Sequence, residues 1–437
     1  MGVFSDQTRA RLLSPSRRIG RQAPVKGQRA CALLFDESPC AAADVTGTIL
    51  NALREASACA TFAVYGSTAE NYPDRPGKRT RESGRGIHYA HLPNFGDDAS
   101  GGAANCPQLI DAILRSGCTL AASGYRFLPN ASRLFSRRKS FQTISDANAD
   151  LCRLLELLPE PVSTMLPPFG AEWMADGRSA FDLCNAHGLN CISPAVSYAS
   201  NFYAESDGKA EAERMVRSMQ HRLNNNPACF DGKIIRLDGG LAPTLNTPAV
   251  PLAIRRILTL LREHGYALLT VEELMERSPF SDLDESVACR PAACSMLKRG
   301  YTVACLGGKF RPNASVQRDM LYAMLVPPHI MRDYMQSRLT GAEPQFAANR
   351  RTEKEFWLAP GSPISAGMFY AYEAGWPLGK RQAVLTTKTF AAFLEQASAG
   401  KTVTWTPPTD RALLKSDIIM ALDQLIQTEQ VDENEPT

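Results

Sequence analysis

One short apolar run that ends in two acids constrains the fold of this chain more than any other feature. Residues 31–35 are all apolar, Asp36 and Glu37 follow directly, and Pro39 ends the run. Such a run is typical of a buried strand in a parallel sheet. Parallel α/β folds place their chemistry at the carboxyl ends of their strands, so we expect both acids in a concave groove there. The alternative is structural: a neighbouring helix N-terminus satisfies the two acids.

Patterns of strands and helices alternate along the chain over about residues 28–275. Further strands are predicted at 60–66, 117–123, 189–193, 233–237 and 266–270, and helices at 44–56, 108–115, 144–158, 178–187 and 252–264. Alternating units of this kind build a parallel sheet with helices packed on it. The sequence therefore predicts an α/β fold, either a (β/α) barrel or a doubly wound sheet.

The length and composition of the chain set its expected number of domains and exclude some functional classes. With 437 residues, two or three domains are expected. No apolar run approaches the roughly 18 residues of a transmembrane helix. The net charge of +3 does not indicate a nucleic-acid partner, and none is expected. The twelve cysteines form no Cys-x-x-Cys pair, which predicts reduced thiols and no zinc site built on cysteine.

The first 30 residues contain seven basic residues but no apolar segment like that of a signal peptide. This composition predicts a basic, disordered arm over residues 1–27. As the chain stands, a cytoplasmic location is expected. Association with the cell surface is expected only if the natural N-terminus is longer.

Four short pieces of sequence occur in an order that one known family shares. They are Leu-Phe-Asp-Glu-Ser-Pro at 34–39, Ala-Thr-Phe-Ala-Val-Tyr-Gly at 60–66, Leu-Pro-Pro-Phe-Gly at 166–170, and a segment at 265–274 that begins Gly-Tyr and ends Glu-Leu. Together they resemble the polysaccharide deacetylases, whose fold is a distorted (β/α) barrel of the NodB type. The resemblance covers about residues 28–275. It implies a hydrolase that acts on carbon–nitrogen bonds and removes acetyl groups from N-acetylated glycans or cell-wall polymers.

The resemblance also implies roles for individual residues. Asp36 would be the catalytic base, Glu37 a ligand of a divalent, zinc-like metal, and Asp238 a second catalytic acid. The residues that would line the substrate groove are Ser123, Tyr125, Pro168 and Phe169. In this family the metal polarises the acetyl carbonyl and activates the attacking water.

The same alignment places unsuitable residues at the two histidine positions of the family's metal site. These positions fall on Ser123 and Phe127; a phenyl ring has no donor atom, and a neutral serine is a poor metal ligand. Leu166 stands where the family has the arginine that orients the base. His88 and His91 lie in a polar insertion over 67–107 and are expected at the surface rather than as replacement ligands.

Three hypotheses stay open from the sequence. The first is a divergent deacetylase with a degraded metal site, which would need a divalent metal. The second is a catalytically silent relative that binds a glycan or a protein partner and needs no cofactor. The third is a structural protein that assembles through its C-terminal region.

From about residue 279 the pattern changes to short helices. A segment rich in Ser, Pro and Asp at 278–284 predicts a boundary between a barrel over 28–278 and a mainly helical region over 279–428, which an acidic tail over 429–437 follows. Gly300-Tyr301, residues 310–313 and residues 317–320 resemble an S-layer homology repeat, and 366–393 echo it weakly. The resemblance implies binding of an anionic cell-wall polymer; the alternative is a small helical domain packed on the barrel.

Overall fold

The computed structural model describes thirteen stretches of the chain. They are residues 13–24, 27–41, 44–67, 101–126, 143–167, 178–198, 208–238, 249–283, 285–340, 362–380, 382–398, 403–408 and 413–433. Of Glu37 and Asp238 it describes the backbone but not the side chain. The chain divides into two units: the barrel unit, residues 18–184 and 189–279, and the helical unit, residues 1–17, 185–188 and 280–437. None of the described helices is long and apolar enough to cross a membrane.

The barrel unit is built around a parallel sheet. Its strands are β1 Arg18–Ile19, β2 Ala30–Ser38, β3 Thr61–Ser67, β4 Thr119–Arg126, β5 Thr164–Met165, β6 Asn190–Ile192, β7 Val196–Tyr198, β8 Lys233–Asp238 and β9 Ala267–Leu269. They lie in the order β1-β6-β5-β4-β3-β2-β8-β7, and β9 pairs with β2. The helices of this part of the chain are α1 Val45–Glu55, α2 Pro107–Arg115, α3 Ile144–Leu157, α4 Ala180–His187, α5 Gly208–Asn225, α6 Ala249–Glu263 and α7 Val271–Arg277. The predicted α/β barrel fold with a C-terminal helical region is confirmed.

Strand β2 is the centre of the sheet. It pairs with β8 on one side, and with β9 and then β3 on the other. Residues 30–35 are completely buried, which explains the unbroken apolar run. Alternate residues of β2 point to one face, where Ala30, Ala32 and Leu34 join an interior cluster that includes Ile19, Leu166 and Ile234.

The N-terminal segment joins the sheet, and the prediction of a disordered arm over 1–27 is wrong for residues 13–24. Ile19 lies opposite Ile192 of β6, and the carbonyl of Gly20 accepts a hydrogen bond from the amide of Ile234 in β8 (2.9 Å). Residues 18–22 thus lie between β6 and β8. The approach to β6 is close, because a Cβ on Gly20 would overlap the carbonyl oxygen of Ser193. Residues 1–12 lie outside the described part of the chain.

Five elements of the barrel unit have no counterpart in the sequence prediction. They are the short strands β1, β5 and β7, the helix α7 and the 18-residue helix α5. The buried apolar residues of α5 do follow helical spacing: Ala212, Met215, Val216, Met219 and Leu223. The charged residues between them lower the mean hydropathy of this segment, so a signal that was present was missed.

Helix α7 closes the amino end of the sheet. Thr270 caps it in a capping box, because the Oγ1 of Thr270 accepts from the amide of Glu273 (3.1 Å) and its own amide donates to the Glu273 carboxylate (2.8 Å). The carboxylate of Glu272 accepts hydrogen bonds from hydroxyls at the starts of β3, β4 and β5: Thr61, Thr119, Ser163 and Thr164. The family-like segment at 265–274 therefore has a structural role here.

The helical unit contains two similar pairs of helices. Its helices are α8 Arg290–Lys298, α9 Arg318–Leu325, α10 Pro328–Thr340, α11 Pro363–Glu373, α12 Thr387–Ala397 and α13 Lys415–Glu433. The pairs are α8 with α9 and α11 with α12, each joined by a loop. Gly300 follows α8 and Gly375 follows α11, both with positive φ. The segments that lead into α9 and α12 pair through an antiparallel bridge between Gln317 and Val384. The S-layer homology resemblance of this region stays a prediction.

Candidate functional site

Two acids predicted from the sequence lie side by side at the carboxyl edge of the sheet. Asp36 of β2 pairs in register with Asp238 of β8. Because aligned residues on parallel strands are neighbours, these two positions are adjacent although they are far apart in sequence. Glu37 follows Asp36 within β2. The carboxyl edge of β2 and β8 therefore carries three acidic residues.

An arginine that the sequence reasoning missed contacts Asp36. A terminal guanidinium nitrogen of Arg236, in β8, forms an ion pair with the carboxylate of Asp36. The Asp36 side chain is only 1% exposed and that of Arg236 14%. Arg236 lies opposite Leu34, two positions before Asp36, so its side chain extends toward the carboxyl edge to reach the carboxylate. A signal was present, because a charged residue within a buried apolar strand needs a partner.

Ser123 and Leu166, which the resemblance places at a histidine and an arginine position of the family, contact each other. Ser123 is buried, and its hydroxyl donates a hydrogen bond to the backbone carbonyl of Leu166 (3.1 Å). The Leu166 side chain belongs to the interior apolar cluster. Ser123 is predicted to line a substrate groove, but its hydroxyl is used within the barrel.

Tyr125, another predicted groove residue, lies at the end of β4 and is half-buried. The guanidinium of Arg153, from α3, lies over its ring, 3.7 Å from the centroid. Close by, the carboxylate of Asp150 forms an ion pair with Arg126 (2.8 Å). Burial raises the pKa of Asp150, although the Arg126 guanidinium acts in the opposite direction. Helix α3 therefore holds the end of β4 through two separate arginine contacts.

Several residues of the predicted site lie outside what the structure describes. They are the groove residues Pro168 and Phe169, the histidine-position residue Phe127, and the insertion residues His88 and His91. The roles of these residues stay predictions. The same holds for the catalytic role of Asp238 and the ligand role of Glu37, whose side chains are not described.

The described residues do not fit a divalent metal. Asp36 is paired with a guanidinium, Ser123 donates its hydrogen to a carbonyl, and Leu166 offers no side-chain donor. In the described part of the chain, no group of three His, Cys, Asp or Glu residues could hold a metal ion. Structural and catalytic zinc sites normally use three or four protein ligands.

Comparison with known proteins agrees with the resemblance found in the sequence. The polysaccharide deacetylase family model matches residues 24–188, so this stretch is similar to a polysaccharide deacetylase domain. No curated protein matches the sequence. The match includes β2 to β5 and begins after β1.

Several solved structures show a distant similarity. The peptidoglycan deacetylase PdaC from Bacillus subtilis is 18% identical, with a TM-score of 0.34 over 57% of this chain and 92% of that chain. The Xyl-CE4 domain of a xylanase from a Trinervitermes trinervoides hindgut metagenome is 15% identical, with a TM-score of 0.37 over 59% and 96%. The CE4 family pseudoenzyme BA3943 from Bacillus anthracis is 15% identical, with a TM-score of 0.38 over 60% and 70%. Only the residues of this chain therefore bear on its activity.

Proposed function

We propose that the barrel unit is a catalytically silent relative of the polysaccharide deacetylases, which binds an N-acetylated glycan at the carboxyl edge of its sheet. The family match of residues 24–188 supports the class of ligand. The position of Asp36, Glu37 and Asp238 supports the location of the site. Loss of hydrolysis is supported by the surroundings of Asp36.

The single observation that carries this proposal is the buried ion pair between Asp36 and Arg236. A general base must come within hydrogen-bond distance of the water that it activates. The Asp36 side chain is 1% exposed and its carboxylate is engaged by a guanidinium, so little of it is open to contact with an attacking water. Asp36 therefore suits a structural or binding role better than a catalytic one.

A second candidate is hydrolysis of the N-acetyl group, and one observation favours it. Asp36 and Asp238 lie in register on adjacent strands, which would let one acid accept a proton and the other donate one.

The test measures binding and turnover on the same protein. Isothermal titration calorimetry with N-acetylglucosamine oligomers should show binding, and an acetate assay should show no release, with or without added zinc. Acetate release above the buffer rate would establish the second candidate. If no N-acetylated oligomer binds, an N-acetylated glycan is not the ligand and the proposal is wrong.

Asp36→Asn tests the location of the glycan site. It keeps the size of the side chain and leaves Arg236 without its charged partner, so we expect glycan affinity to fall about tenfold. Glu55→Gln is the matched control, because Glu55 also pairs with an arginine, Arg255, but both side chains are more than half exposed. Equal affinities of the two variants would place the glycan elsewhere.

A further inference from the structure

Two basic side chains lie next to each other at the amino end of β8. Arg21 is directly opposite Lys233, the first residue of β8, in an antiparallel bridge. Side chains of directly opposite residues share a face of the sheet and lie close together. Ile234 belongs to the interior cluster, so the two-residue period of a strand directs Lys233, and with it Arg21, to the outer face. Two like charges are therefore adjacent on that face.

Arg222, in the last turn of α5, adds a third positive charge to this pair. Its guanidinium lies over the Tyr198 ring, 6.0 Å from the centroid. The Nζ of Lys233 donates a hydrogen bond to the backbone carbonyl of Cys229, in the turn that connects α5 to β8. Burial lowers the pKa of Lys233, and the charges of Arg21 and Arg222 lower it further. These three residues, Arg21, Arg222 and Lys233, form the basic cluster.

Among the residues that the structure describes, no carboxylate forms an ion pair with the basic cluster. The nearest acid in sequence, Asp231, accepts a hydrogen bond from the amide of Ala30 instead (3.0 Å). The carboxyl end of α5 and the carbonyl of Cys229 contribute only partial negative charges, about half a unit for a whole helix. Like charges directly opposite each other in a sheet are destabilising. The basic cluster therefore lacks a full negative charge that would balance it.

We propose that the basic cluster binds a phosphate group. Phosphate carries nearly two negative charges at neutral pH, and its oxygens can accept from two guanidinium groups and an ammonium at once. A carboxylate has one charge and two oxygens, so it would leave part of the cluster unpaired. Arg21 and Arg222 are exposed and Lys233 is half-buried, so both guanidinium groups are accessible to such a ligand. The cluster lies at the amino end of β8, whereas Asp238 is at its carboxyl end, so this inference does not depend on the proposed function.

Isothermal titration calorimetry of the full chain with inorganic phosphate tests the proposal. The wild type should bind phosphate about tenfold more tightly than acetate at the same ionic strength. Arg21→Gln and Arg222→Gln should each weaken phosphate binding about tenfold, because each removes a charged hydrogen-bond donor. Both side chains are exposed, so both variants should fold.

A second titration, with glycerol 3-phosphate, distinguishes two sources of the phosphate group. Tighter binding of this ester than of inorganic phosphate would identify an esterified phosphate as the ligand. Tighter binding of inorganic phosphate would identify the free ion. The two cluster substitutions should weaken the binding of either compound.

Arg217→Gln is the matched control for both titrations. Arg217 is exposed on the same helix, α5, and its guanidinium donates to the backbone carbonyl of Glu213 one turn earlier (3.4 Å). The substitution removes the same charge from the protein and should leave phosphate affinity unchanged. Thermal unfolding gives a second readout. In about 50 mM phosphate, compared with acetate at equal ionic strength, the midpoint temperatures of the wild type and Arg217→Gln should rise by roughly 3 °C more than those of the two cluster variants.

Two results would overturn the proposal. The first is that the wild type binds neither phosphate compound, or binds acetate as tightly as phosphate. The second is an equal effect of all three substitutions on phosphate affinity and on the midpoint temperature. Equal effects would show only the charge of the whole protein and the general stabilisation of folded proteins by phosphate.

Discussion

At the scale of single residues, one partly buried and one fully buried cation are held in different ways. Arg236 is paired with a carboxylate, whereas the Nζ of Lys415 donates to the backbone carbonyls of Val303 (2.6 Å) and Phe310 (2.8 Å). Lys415 also lies over the Phe310 ring, 4.5 Å from its centroid. Burial lowers the pKa of Lys415 to about 8, although Cys305 and Asp282 act in the opposite direction. Lys415 therefore loses its charge near physiological pH, which a surface lysine does not.

This lowered pKa gives the stability of the protein a specific pH dependence. Between about pH 8 and pH 10 the unfolded chain keeps the Lys415 proton and the folded chain does not, so the free energy of unfolding rises with pH. Relative to Lys415→Met, we expect the wild type to gain about 2–3 kcal/mol over this range. Urea denaturation of both proteins at several pH values measures the difference, because other groups titrate alike in both. The exposed Lys388→Met is the control, and a pH profile of Lys415→Met parallel to that of the wild type would contradict the prediction.

The candidate site could be predicted from the sequence only in part, for a reason that Asp36 illustrates. The apolar run before Asp36 placed it at a strand end, and the structure has it there, buried. Its partner Arg236 is on a strand about 200 residues later, and no local pattern gives the register between β2 and β8. The sequence offers a helix N-terminus as the alternative source of compensation for the acids. In the structure, Arg236 of a neighbouring strand contacts Asp36.

At the scale of elements, the strands with long apolar runs were predictable and the shortest ones were not. β2, β3 and β4 each combine an apolar run with a following turn or loop. β1 is only two residues long and lies among basic residues, so its sequence carries no periodic signal. It is held by pairing with β6 and by hydrogen bonds to residues at the start of β8, which are long-range interactions.

A pair of substitutions tests whether this first strand stabilises the barrel unit. Ile19 is fully buried in the interior cluster, so Ile19→Ala should lower the free energy of unfolding by about 2–4 kcal/mol. Arg21→Ala changes an exposed residue of the same segment and should cost less than about 0.5 kcal/mol. Urea unfolding curves measure both. If both substitutions lower the free energy of unfolding by an equally small amount, residues 18–22 do not stabilise the barrel unit and the predicted disordered arm is correct for them.

At the scale of the whole molecule, the sequence predicted the boundary between the two units but not the packing of the segment that joins them. The change lies at 278–284, and the two units meet in sequence between residues 279 and 280. The Ser278 carbonyl accepts a hydrogen bond from the side chain of Gln22 within the barrel unit (2.8 Å). Phe280 and Leu283 are buried in the core of the helical unit. A segment rich in Ser, Pro and Asp is typical of a linker. Here its first residue is hydrogen-bonded within the barrel unit, and Phe280 and Leu283 are buried in the helical unit.

This packing predicts the outcome of limited proteolysis. Proteases cut segments that can unfold locally and enter the active site of the protease. Residues 278–283 cannot do so without unfolding part of a unit. Brief digestion with a nonspecific protease such as proteinase K should give no fragment that ends within 278–283, as mass spectrometry can show. Digestion in urea is the control and should cut there. An early fragment ending in this segment under native conditions would mean that it is an exposed linker.

The position of β1 has a consequence for how the chain is made. The ribosome synthesises residues 18–22 long before their partners in β6 and β8, which come 170 or more residues later. At 5–20 residues per second, roughly 10–40 s pass before β8 exists. During synthesis β1 therefore has no strand to pair with until β6 has been made. The barrel closes only after most of its sheet has formed. The first of the described strands is therefore held by contacts that form only late in synthesis.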